Sequence, residues 1–288
     1  MLRSLYSGVS GLRNHQTKMD VIGNNIANVN TIGFKASRVA FQDIYSQTIQ
    51  TATAPNADGG TGGVNPQQIG LGVSTASIDV MHTRGAPEYT GAPLDLSIDG
   101  DGFFIVSEGN ADYFTRAGNF TTDAANNLIN SNGLIVQGWT AASGAIDAAG
   151  NLVLDVDGNM EPLADIVVPQ NYYDISVTRN GELVGINQAT QEREVIARIA
   201  LANFNNQNAL NKMGNNLYDI SQNSGLPIVG APGTEGTAGI NPSSLEMSNV
   251  DLAKEFTDMI TTQRGFQANS RIITTSDQLL EELVNLKR

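Results

Sequence analysis

The amino-acid sequence predicts a mixed α and β fold, in which N- and C-terminal helices pair as a coiled coil and flank a mainly-β central domain. Apolar residues recur three or four positions apart in both terminal segments, which is the spacing of one helix face. Between them, short apolar runs alternate with Gly- and Asn-rich turns, as in a series of strands. The predicted order is an N-terminal coiled-coil helix, a connector with a flexible loop, a mainly-β domain and a C-terminal coiled-coil helix. Their bounds are 1–33, 34–73, 74–245 and 246–288.

The first element is a helix of about 30 residues. Asn28, Asn30 and Gly33 supply a C-terminal stop, because Asn and Gly tolerate the backbone conformation that ends a helix. Asn24, Asn25 and Asn28 are poor helix formers, so we expect them either to bond neighbouring groups or to be solvated. The predicted packing face consists of Leu2, Leu5, Val9, Leu12, Met19, Ile22, Ile26 and Val29.

The middle of the chain consists of turns and short apolar runs. Residues 50–66 are of low complexity and predict a flexible loop or linker. Further on, LDLSI and FFIV flank a turn at Gly100–Gly102, and Asn180-Gly181 between two candidate strands predicts a hairpin. The alternation of Val195, Ala197, Ile199 and Leu201 predicts a half-buried strand.

The last element is a second helix, with Ser248 or Asn249 as its predicted cap. Polar Gln263, Ser270 and Asp277 interrupt its apolar stripe at regular intervals, as specificity positions do in a coiled-coil seam. A glycine at position 265 in the middle of the helix indicates close approach of another helix, or else a kink. The predicted stripe consists of Leu252, Phe256, Met259, Phe266, Ile273, Leu280 and Val284.

Composition excludes several classes of function. Residues 48–247 carry six basic and 21 acidic side chains, and so acidic a segment does not suit a nucleic-acid partner. The chain has no cysteine and two histidines, His15 and His82, which excludes disulfides, thiolate zinc sites and His-rich metal sites. No apolar run approaches 18 residues, so we expect no membrane span. We also expect no cleaved signal peptide, because the start lacks a continuous apolar region.

Two acidic turns are candidate cation or catalytic sites. Asp99 and Asp101 alternate with glycines, and Asp155 and Asp157 precede Gly158. A calcium loop needs further acidic positions and a terminal Glu, which are missing, so tight turns are the better interpretation. The alternative from another class is a secreted hydrolase that uses paired acids, but the sequence indicates no aromatic-lined cleft nearby. We therefore expect no enzyme activity, no cofactor and no metal site.

The terminal helices raise a question of stability. A single apolar stripe offsets only part of the entropy that is lost when about 30 residues become ordered. The sequence therefore favours ends that order fully when neighbouring copies of the chain cover them. The alternative is that the two helices pair and dock within one chain, and the pattern alone does not distinguish the two.

Six strings occur in a fixed order along the chain. SLYSGVSGL and DVIGNNIANVNTIGFKASRVAFQD lie near the N terminus, and QIGLGV, LDLSIDGDGFFIV and YFTRAGNFTTD lie in the middle. The C terminus is SNVDLAKEFTDMITTQRGFQANSRIITTSDQLLEELVNLKR. Together these strings resemble the flagellar hook and distal-rod family. The resemblance covers the chain except for the loops at residues 50–66 and roughly 140–245.

The resemblance implies how the elements are used. The terminal helices would line the inner tube of a helical homopolymer, and the β domain would form its outer wall. Gly33, Phe34 and Lys35 would belong to a connector that contacts neighbouring subunits. The chain would leave the cell through the flagellar type III export apparatus without signal cleavage, and act in the extracellular hook or the basal body.

Within the family, the resemblance favours a hook subunit, which forms a flexible tube that couples motor torque to the filament. VDLAKEF and LVNLKR are the more hook-like phrases. A distal rod subunit is the alternative, because the short length and the phrase TTSDQLL also suit the rod. The implied partners are further copies of the chain, the distal rod and hook–filament junction proteins, and the hook cap during assembly.

Overall fold

The chain divides into two compact units. Unit 1 contains residues 1–27, 37–80 and 251–288, and unit 2 contains residues 28–36 and 81–250. Both ends of the chain therefore lie in one unit, while most of the middle forms the other. The computed structural model describes residues 2–54, 62–109, 111–141, 146, 163–234 and 237–286.

Unit 1 is built on two long helices, α1 (Leu2–Ala27) and α2 (Leu252–Leu286). They pack along each other, which confirms the predicted pairing of the terminal helices. Positions 8 and 18 of α1 lie beside positions 273 and 258 of α2, so the two helices run antiparallel. Neither helix is both long enough and apolar enough to cross a membrane.

The N-terminal cap of α2 is Asp251. Its Oδ1 accepts hydrogen bonds from the backbone N–H groups of Ala253 and Lys254, at 2.9 and 3.3 Å. The predicted cap at Ser248 or Asn249 is therefore wrong by two or three residues. The amide of Asn249 is instead bonded to backbone groups of unit 2, so it is not available to the helix.

Four strands complete unit 1. The first, β1 (Ser37–Asp43), pairs with β4 (Val73–Val80), and β2 (Ser46–Gln50) pairs with β3 (Gln67–Gly70), both antiparallel. Residues of α1 pack on the β1–β4 pair. Almost every residue of the β2–β3 ribbon is exposed. Residues 55–61, in the middle of the predicted flexible loop, lie outside the described residues.

Unit 2 is made of short strands, in agreement with the predicted mainly-β domain. Its first eight strands are β5 (Pro87–Tyr89), β6 (Leu96–Asp99), β7 (Phe103–Glu108), β8 (Ala111–Thr115), β9 (Thr121–Thr122), β10 (Leu128–Ile129), β11 (Ile135–Thr140) and β12 (Ala164–Asp165). The next five are β13 (Tyr172–Val177), β14 (Glu182–Asn187), β15 (Arg193–Ile199), β16 (Leu201–Asn203) and β17 (Asn211–Gly214). The last four are β18 (Leu217–Asp219), β19 (Ile228–Gly230), β20 (Gly239–Pro242) and β21 (Ser244–Glu246).

Thirteen of the described strands form one sheet. Its main path runs β13, β14, β15, β11, β7, β8, β18 and β17, and the shorter β9, β10, β12, β16 and β19 attach at its sides. Two further antiparallel pairs, β6 with β20 and β5 with β21, join early strands to the last strands before α2. The start and the end of unit 2 are therefore hydrogen-bonded to each other.

Two apolar clusters form the core of unit 2. Because alternate residues of β7 point to opposite faces, Phe104 and Val106 belong to the first cluster, and Phe103 and Ile105 to the second. Trp139, which is the single tryptophan of the chain, is buried in the second cluster. Such a residue gives a fluorescence signal for the unfolding of unit 2 alone.

The structure confirms the predicted hairpin, but one predicted strand differs from its prediction. Asn180-Gly181 joins the paired strands β13 and β14, with Gly181 at a φ of +75°, which confirms the hairpin. The last residues of β15 are buried on both faces, including Arg198, so its prediction as a half-buried strand is wrong. β15 contributes to both apolar clusters of unit 2, because Ile196, Ala197 and Ile199 belong to the first and Val195 packs against the second.

Candidate assembly site

The predicted packing face of α1 is turned inward over most of its length. Ile22 is buried, at 4% exposure, and Val29 lies beyond the end of α1. Leu2 lies in the first turn of α1. The half-buried members of the predicted face are Leu5, Val9, Leu12, Met19 and Ile26.

The seam of α2 contains four of the seven predicted stripe residues. Met259, Phe266, Ile273 and Leu280 recur every seven residues and are all half-buried. The fully buried residues of α2 are polar, namely Glu255, Thr262 and Ser276. Three members of the predicted stripe are exposed: Leu252, Phe256 and Val284.

Of the three predicted specificity positions of α2, Ser270 is half-buried and the other two lie outside the seam. Gln263 and Asp277 are exposed, whereas Thr262 and Ser276, one residue earlier in each case, are buried. One position along a helix is a rotation of about 100°, so a register error of one residue moves a side chain out of the seam. The small polar seam residues allow the two helix backbones to approach closely.

Glycines mark the closest approach of α1 and α2. A Cβ on Gly11 would lie 2.6 Å from Nδ2 of Asn269, and a Cβ on Gly265 would lie 2.7 Å from Nε2 of His15. The prediction of close helix approach at position 265 is therefore confirmed. His15 is half-buried in this contact, where burial lowers the pKa of its imidazole and the nearby Lys18 lowers it further.

Asparagines of α1 fasten the helix to its strands. The amide of Asn25 donates to the backbone oxygen of Ser37 at 2.8 Å and accepts from the Ser37 N–H at 3.0 Å. Asn14 likewise donates to the oxygen of Val73 and accepts from the hydroxyl of Thr75. The expectation that Asn25 bonds neighbouring groups is confirmed, and those groups belong to its own chain.

The helix pair leaves a large apolar surface in solvent. Ile272, Leu279 and Leu286 recur every seven residues on α2 and are 43%, 51% and 82% exposed. Leu283 extends this stripe and is half exposed. We call these four residues the α2 outer stripe. A continuous exposed apolar stripe is typical of a surface that another protein covers.

A cluster of buried charges lies in unit 2, at the predicted connector. Nζ of Lys35 lies 2.6 Å from Oε1 of Glu246, and a terminal nitrogen of Arg116 lies 3.4 Å from Oε2 of the same carboxylate. All three side chains are fully buried. Nζ of Lys35 also donates to the backbone oxygen of Thr83, and Oε1 of Glu246 accepts from the Gly85 N–H.

The electrostatics of this charge cluster are unbalanced. Burial lowers the pKa of Lys35 and of Arg116, and the carboxylate of Glu246 opposes both shifts. Two cations therefore share one buried carboxylate, with the exposed Asp101 near enough to raise both pKa values. Nε and Nη2 of Arg116 have no hydrogen-bond partner among the described residues. A cluster of this kind tolerates the loss of a cation better than the loss of its carboxylate.

The other two connector residues are buried beside the charge cluster. Phe34 is 9% exposed, and Gly33 has a φ of +68° and donates its N–H to the backbone oxygen of Glu246 at 2.8 Å. A Cβ on Gly33 would lie 2.7 Å from the backbone N of Ala117 and 2.8 Å from the carbonyl carbon of Arg116. Only glycine suits both this conformation and this space.

Gly33→Ala is expected to lower the free energy of unfolding of unit 2 by about 2–4 kcal/mol, through backbone strain and overpacking. Trp139 fluorescence in a denaturant titration measures this loss. Gly109→Ala is the matched control, because Gly109 has a φ of +71° but no atom within 4 Å of the added Cβ. Its cost should be the strain alone, about 1–2 kcal/mol. Equal losses in the two variants would show that the space around Gly33 is not tight.

His82 lies next to the charge cluster in an aromatic environment. Its ring packs against Phe103 and Tyr218, with centroids 5.6 Å apart in both cases. Burial, followed by the charges of Arg116 and Lys35, lowers the pKa of His82 to about 4. Burial also raises the pKa of Tyr218 to about 12. Both side chains are therefore neutral at physiological pH.

The acidic turn at residues 99–102 forms ion pairs with arginine side chains of the same chain. The carboxylate of Asp99 is paired with Arg84 and Arg179. Gly100 and Gly102 have φ values of +146° and +142°, so the turn needs glycine at both positions. The described residues contain no group of three or more acidic or histidine side chains that could hold a metal. Asp155 and Asp157 lie outside the described residues.

Comparison with protein families gives three matches along the chain. Residues 5–35 match the flagella basal body rod protein model, and residues 97–185 match the flagellar hook protein FlgE/F/G D1 domain. Residues 241–286 match the flagellar basal body rod FlgEFG protein C-terminal model. The matches therefore include both terminal helices and part of unit 2.

Individual relatives cover the whole chain. The flagellar basal-body rod protein FlgG of Bacillus subtilis is 47% identical over 289 residues, with all of both chains aligned. FlgG of Caulobacter vibrioides is 32% identical, over 99% of this chain and 100% of its own. The flagellar hook protein FlgE of Borreliella burgdorferi is 33% identical, in an alignment that includes all of both chains but extends over 444 residues. The chain belongs to the flagellar basal-body rod and hook family, FlgE/F/G.

Proposed function

We propose that this chain is a distal rod subunit of the flagellar basal body, which was the alternative in the sequence analysis, and not a hook subunit. The observation that carries the proposal is the end-to-end match to FlgG at 47% identity, in an alignment of 289 positions for this chain of 288 residues. The hook relatives need alignments of 444 and 465 residues, so they contain segments that this 288-residue chain lacks. The rod and hook family is one of structural proteins and is not a class of enzymes.

The assembly we propose is a homopolymer held together by unit 1. The α2 outer stripe exposes four large apolar side chains, each by 43% to 82% of its surface. In a self-assembling rod, a second copy of the chain would cover this stripe. Unit 1 carries little net charge, so electrostatic repulsion between two copies is weak. The predicted face residues that remain exposed, Leu252, Phe256 and Val284, are further candidates for this contact.

The finer predictions follow from the same proposal. Residues 1–33 and 246–288 supply the polymerising helices, residues 34–73 the connector, and residues 74–245 the β domain. The further partners are the hook-side and junction proteins that adjoin the rod, together with the flagellar type III export apparatus. The burial of Gly33, Phe34 and Lys35 favours a role within unit 2 over direct contact with a neighbouring subunit.

Complementation distinguishes a rod from a hook subunit. The gene is expressed in two strains of its own species, one without its distal rod gene and one without its hook gene. We expect restored rods in the first strain and none in the second. An epitope inserted at the exposed turn at Gly109 should label purified basal bodies on the rod and not on the hook. Restored hooks in the second strain, or label along the hook, would falsify the proposal.

Leu279→Ser together with Leu283→Ser is expected to abolish polymerisation and to leave the folded monomer intact. Both side chains are about half exposed, so their loss changes monomer stability by less than about 1 kcal/mol but removes apolar contact area between copies. Sedimentation of concentrated protein measures assembly, and helical circular dichroism measures the monomer. Leu226→Ser is the control, since Leu226 is an 82% exposed leucine of unit 2. Unchanged assembly in the double variant would exclude the outer stripe as the contact.

A further inference from the structure

A cleft of about 380 Å³ opens in unit 2. Its walls are the turn after α1, the residues that follow β8, and two turns near positions 131 and 215. None of its eleven lining residues carries a charge, although the middle of the chain is strongly acidic. Six of the eleven are asparagines, namely Asn30, Asn119, Asn130, Asn132, Asn215 and Asn216. The cleft is thus a neutral, amide-lined depression in an acidic unit.

The inner amides of the cleft are held in place by the backbone. Asn130 is 5% exposed, and its Oδ1 accepts hydrogen bonds from the N–H groups of Asn132 and Leu134 at 2.9 and 3.0 Å. Nδ2 of Asn216 donates to the backbone oxygen of Ile32 at 3.0 Å. Asn130 lines the cleft, and its Nδ2 group makes no hydrogen bond within the described part of the chain. A polar group in this position is satisfied by a ligand or by solvent.

The rim of the cleft carries amides that are free to bond a ligand. Asn30 and Asn215 are exposed on different turns, and their side chains make no hydrogen bond with any described residue. Each amide offers an acceptor and two donor hydrogens. The inner asparagine side chains of the cleft are fixed, and those at its rim can reorient. Together they match a small ligand that carries many neutral hydrogen-bond donors and acceptors.

We propose that the cleft binds a neutral acetamido-saccharide of one or two rings. Its hydroxyl and acetamido groups are both donors and acceptors, as the lining amides are, and its neutrality matches a lining without charge. The volume lies within the range of small-molecule pockets. A peptide partner fits less well, because the lining contains none of the Trp, Tyr or Arg anchors that dominate protein interfaces. This binding goes beyond the structural role of the chain and does not depend on the rod assignment.

The test titrates full-length protein with N,N′-diacetylchitobiose and follows backbone amide shifts by NMR. We expect saturable shifts confined to the cleft, and weaker binding of cellobiose, which has the same ring number without acetamido groups. Asn30→Ala should weaken chitobiose binding about fivefold, the effect of one lost hydrogen bond. Asn208→Ala is the matched control, because Asn208 is an exposed asparagine of unit 2 outside the cleft.

Three results overturn this proposal. The first is the absence of saturable shifts with chitobiose at concentrations where the protein stays folded by Trp139 fluorescence. The second is equal loss of affinity in the Asn30 and Asn208 variants, or no loss in either. The third is binding of an uncharged Gln- and Ala-rich peptide in the cleft without binding of the saccharide, which would assign the cleft to a protein partner.

Discussion

Glu246→Gln is expected to lower the free energy of unfolding of unit 2 by about 3–5 kcal/mol, the cost of leaving a buried charge without its partner. The variant removes the one buried carboxylate of the charge cluster and leaves Lys35 and Arg116 together in the interior. It also replaces the carboxylate that accepts the Gly85 N–H by an amide with a single acceptor oxygen, which can bond either Gly85 or Lys35 in that place. Denaturant unfolding followed by Trp139 fluorescence measures the loss.

Two control variants separate the charge effect from the effect of substitution. Glu88→Gln changes an exposed glutamate on β5, the strand paired with β21, and should shift stability by less than about 0.5 kcal/mol. Lys35→Met removes one cation and leaves Arg116 balanced by Glu246, so it should cost clearly less than Glu246→Gln. If Lys35→Met proves the more costly of the two, the cluster is held together by the lysine and not by the carboxylate.

Acidification from pH 6.5 to pH 4 is expected to destabilise unit 2 through His82. Burial lowers the pKa of this imidazole to about 4, so the unfolded chain takes up a proton in this range and the folded chain does not. The contribution of His82 to the unfolding free energy is therefore fully present above the ordinary pKa of 6.5. It decreases as the pH falls toward 4 and does not change further below pH 4. A difference of about 2.5 pKa units corresponds to about 3 kcal/mol.

The measurement is the unfolding free energy of unit 2 at several pH values, for the natural chain and for His82→Gln. The neutral glutamine should remove most of the slope between pH 6.5 and 4. His15→Gln is the comparison, because His15 lies in unit 1 and should leave the Trp139 signal almost unchanged. An undiminished slope in His82→Gln would attribute the acid sensitivity of unit 2 to its carboxylates.

Much of the fold could be predicted because its signals are local. The spacing of apolar residues in α1 and α2 identifies both helices, and Asn180-Gly181 identifies a hairpin, in which Gly181 takes the left-handed conformation that ends the turn. Which members of the predicted α2 stripe remain exposed could not be predicted in the same way. The stripe contains more apolar residues than the seam can cover, and the packing of Gly11 and Gly265 against the opposite helix selects which of them turn inward.

The charge cluster could not be predicted from the sequence. Lys35 stands between Phe34 and Ala36 in a segment that resembles an exposed connector, and nothing nearby indicates its carboxylate partner. Glu246 belongs to β21, and the pairing of β21 with β5 brings it to the lysine. The cleft was missed for a similar reason, since its six asparagines come from four separate turns and loops.

The sequence motifs favoured a hook subunit over a rod subunit because they lie in regions that both kinds of protein share. The strings at both ends of the chain belong to features that rod and hook relatives share, as the full-length alignments to both kinds of protein show. Short phrases from shared helices carry little information about the difference. The length of the chain between its helices is the more informative property, because the hook relatives differ from this chain by added segments.

The bond between Lys35 and Glu246 joins positions 211 residues apart, and α1 must find a partner that lies still further along the chain. A polypeptide that emerges with its N terminus first, from a ribosome or from any narrow conduit, cannot close either contact until nearly its whole length is available. Long-range closure of this kind is slow, because the loop entropy is lost before the contacts form. The Lys35–Glu246 ion pair and the α1–α2 pair therefore form only after the C-terminal segment of the chain has emerged.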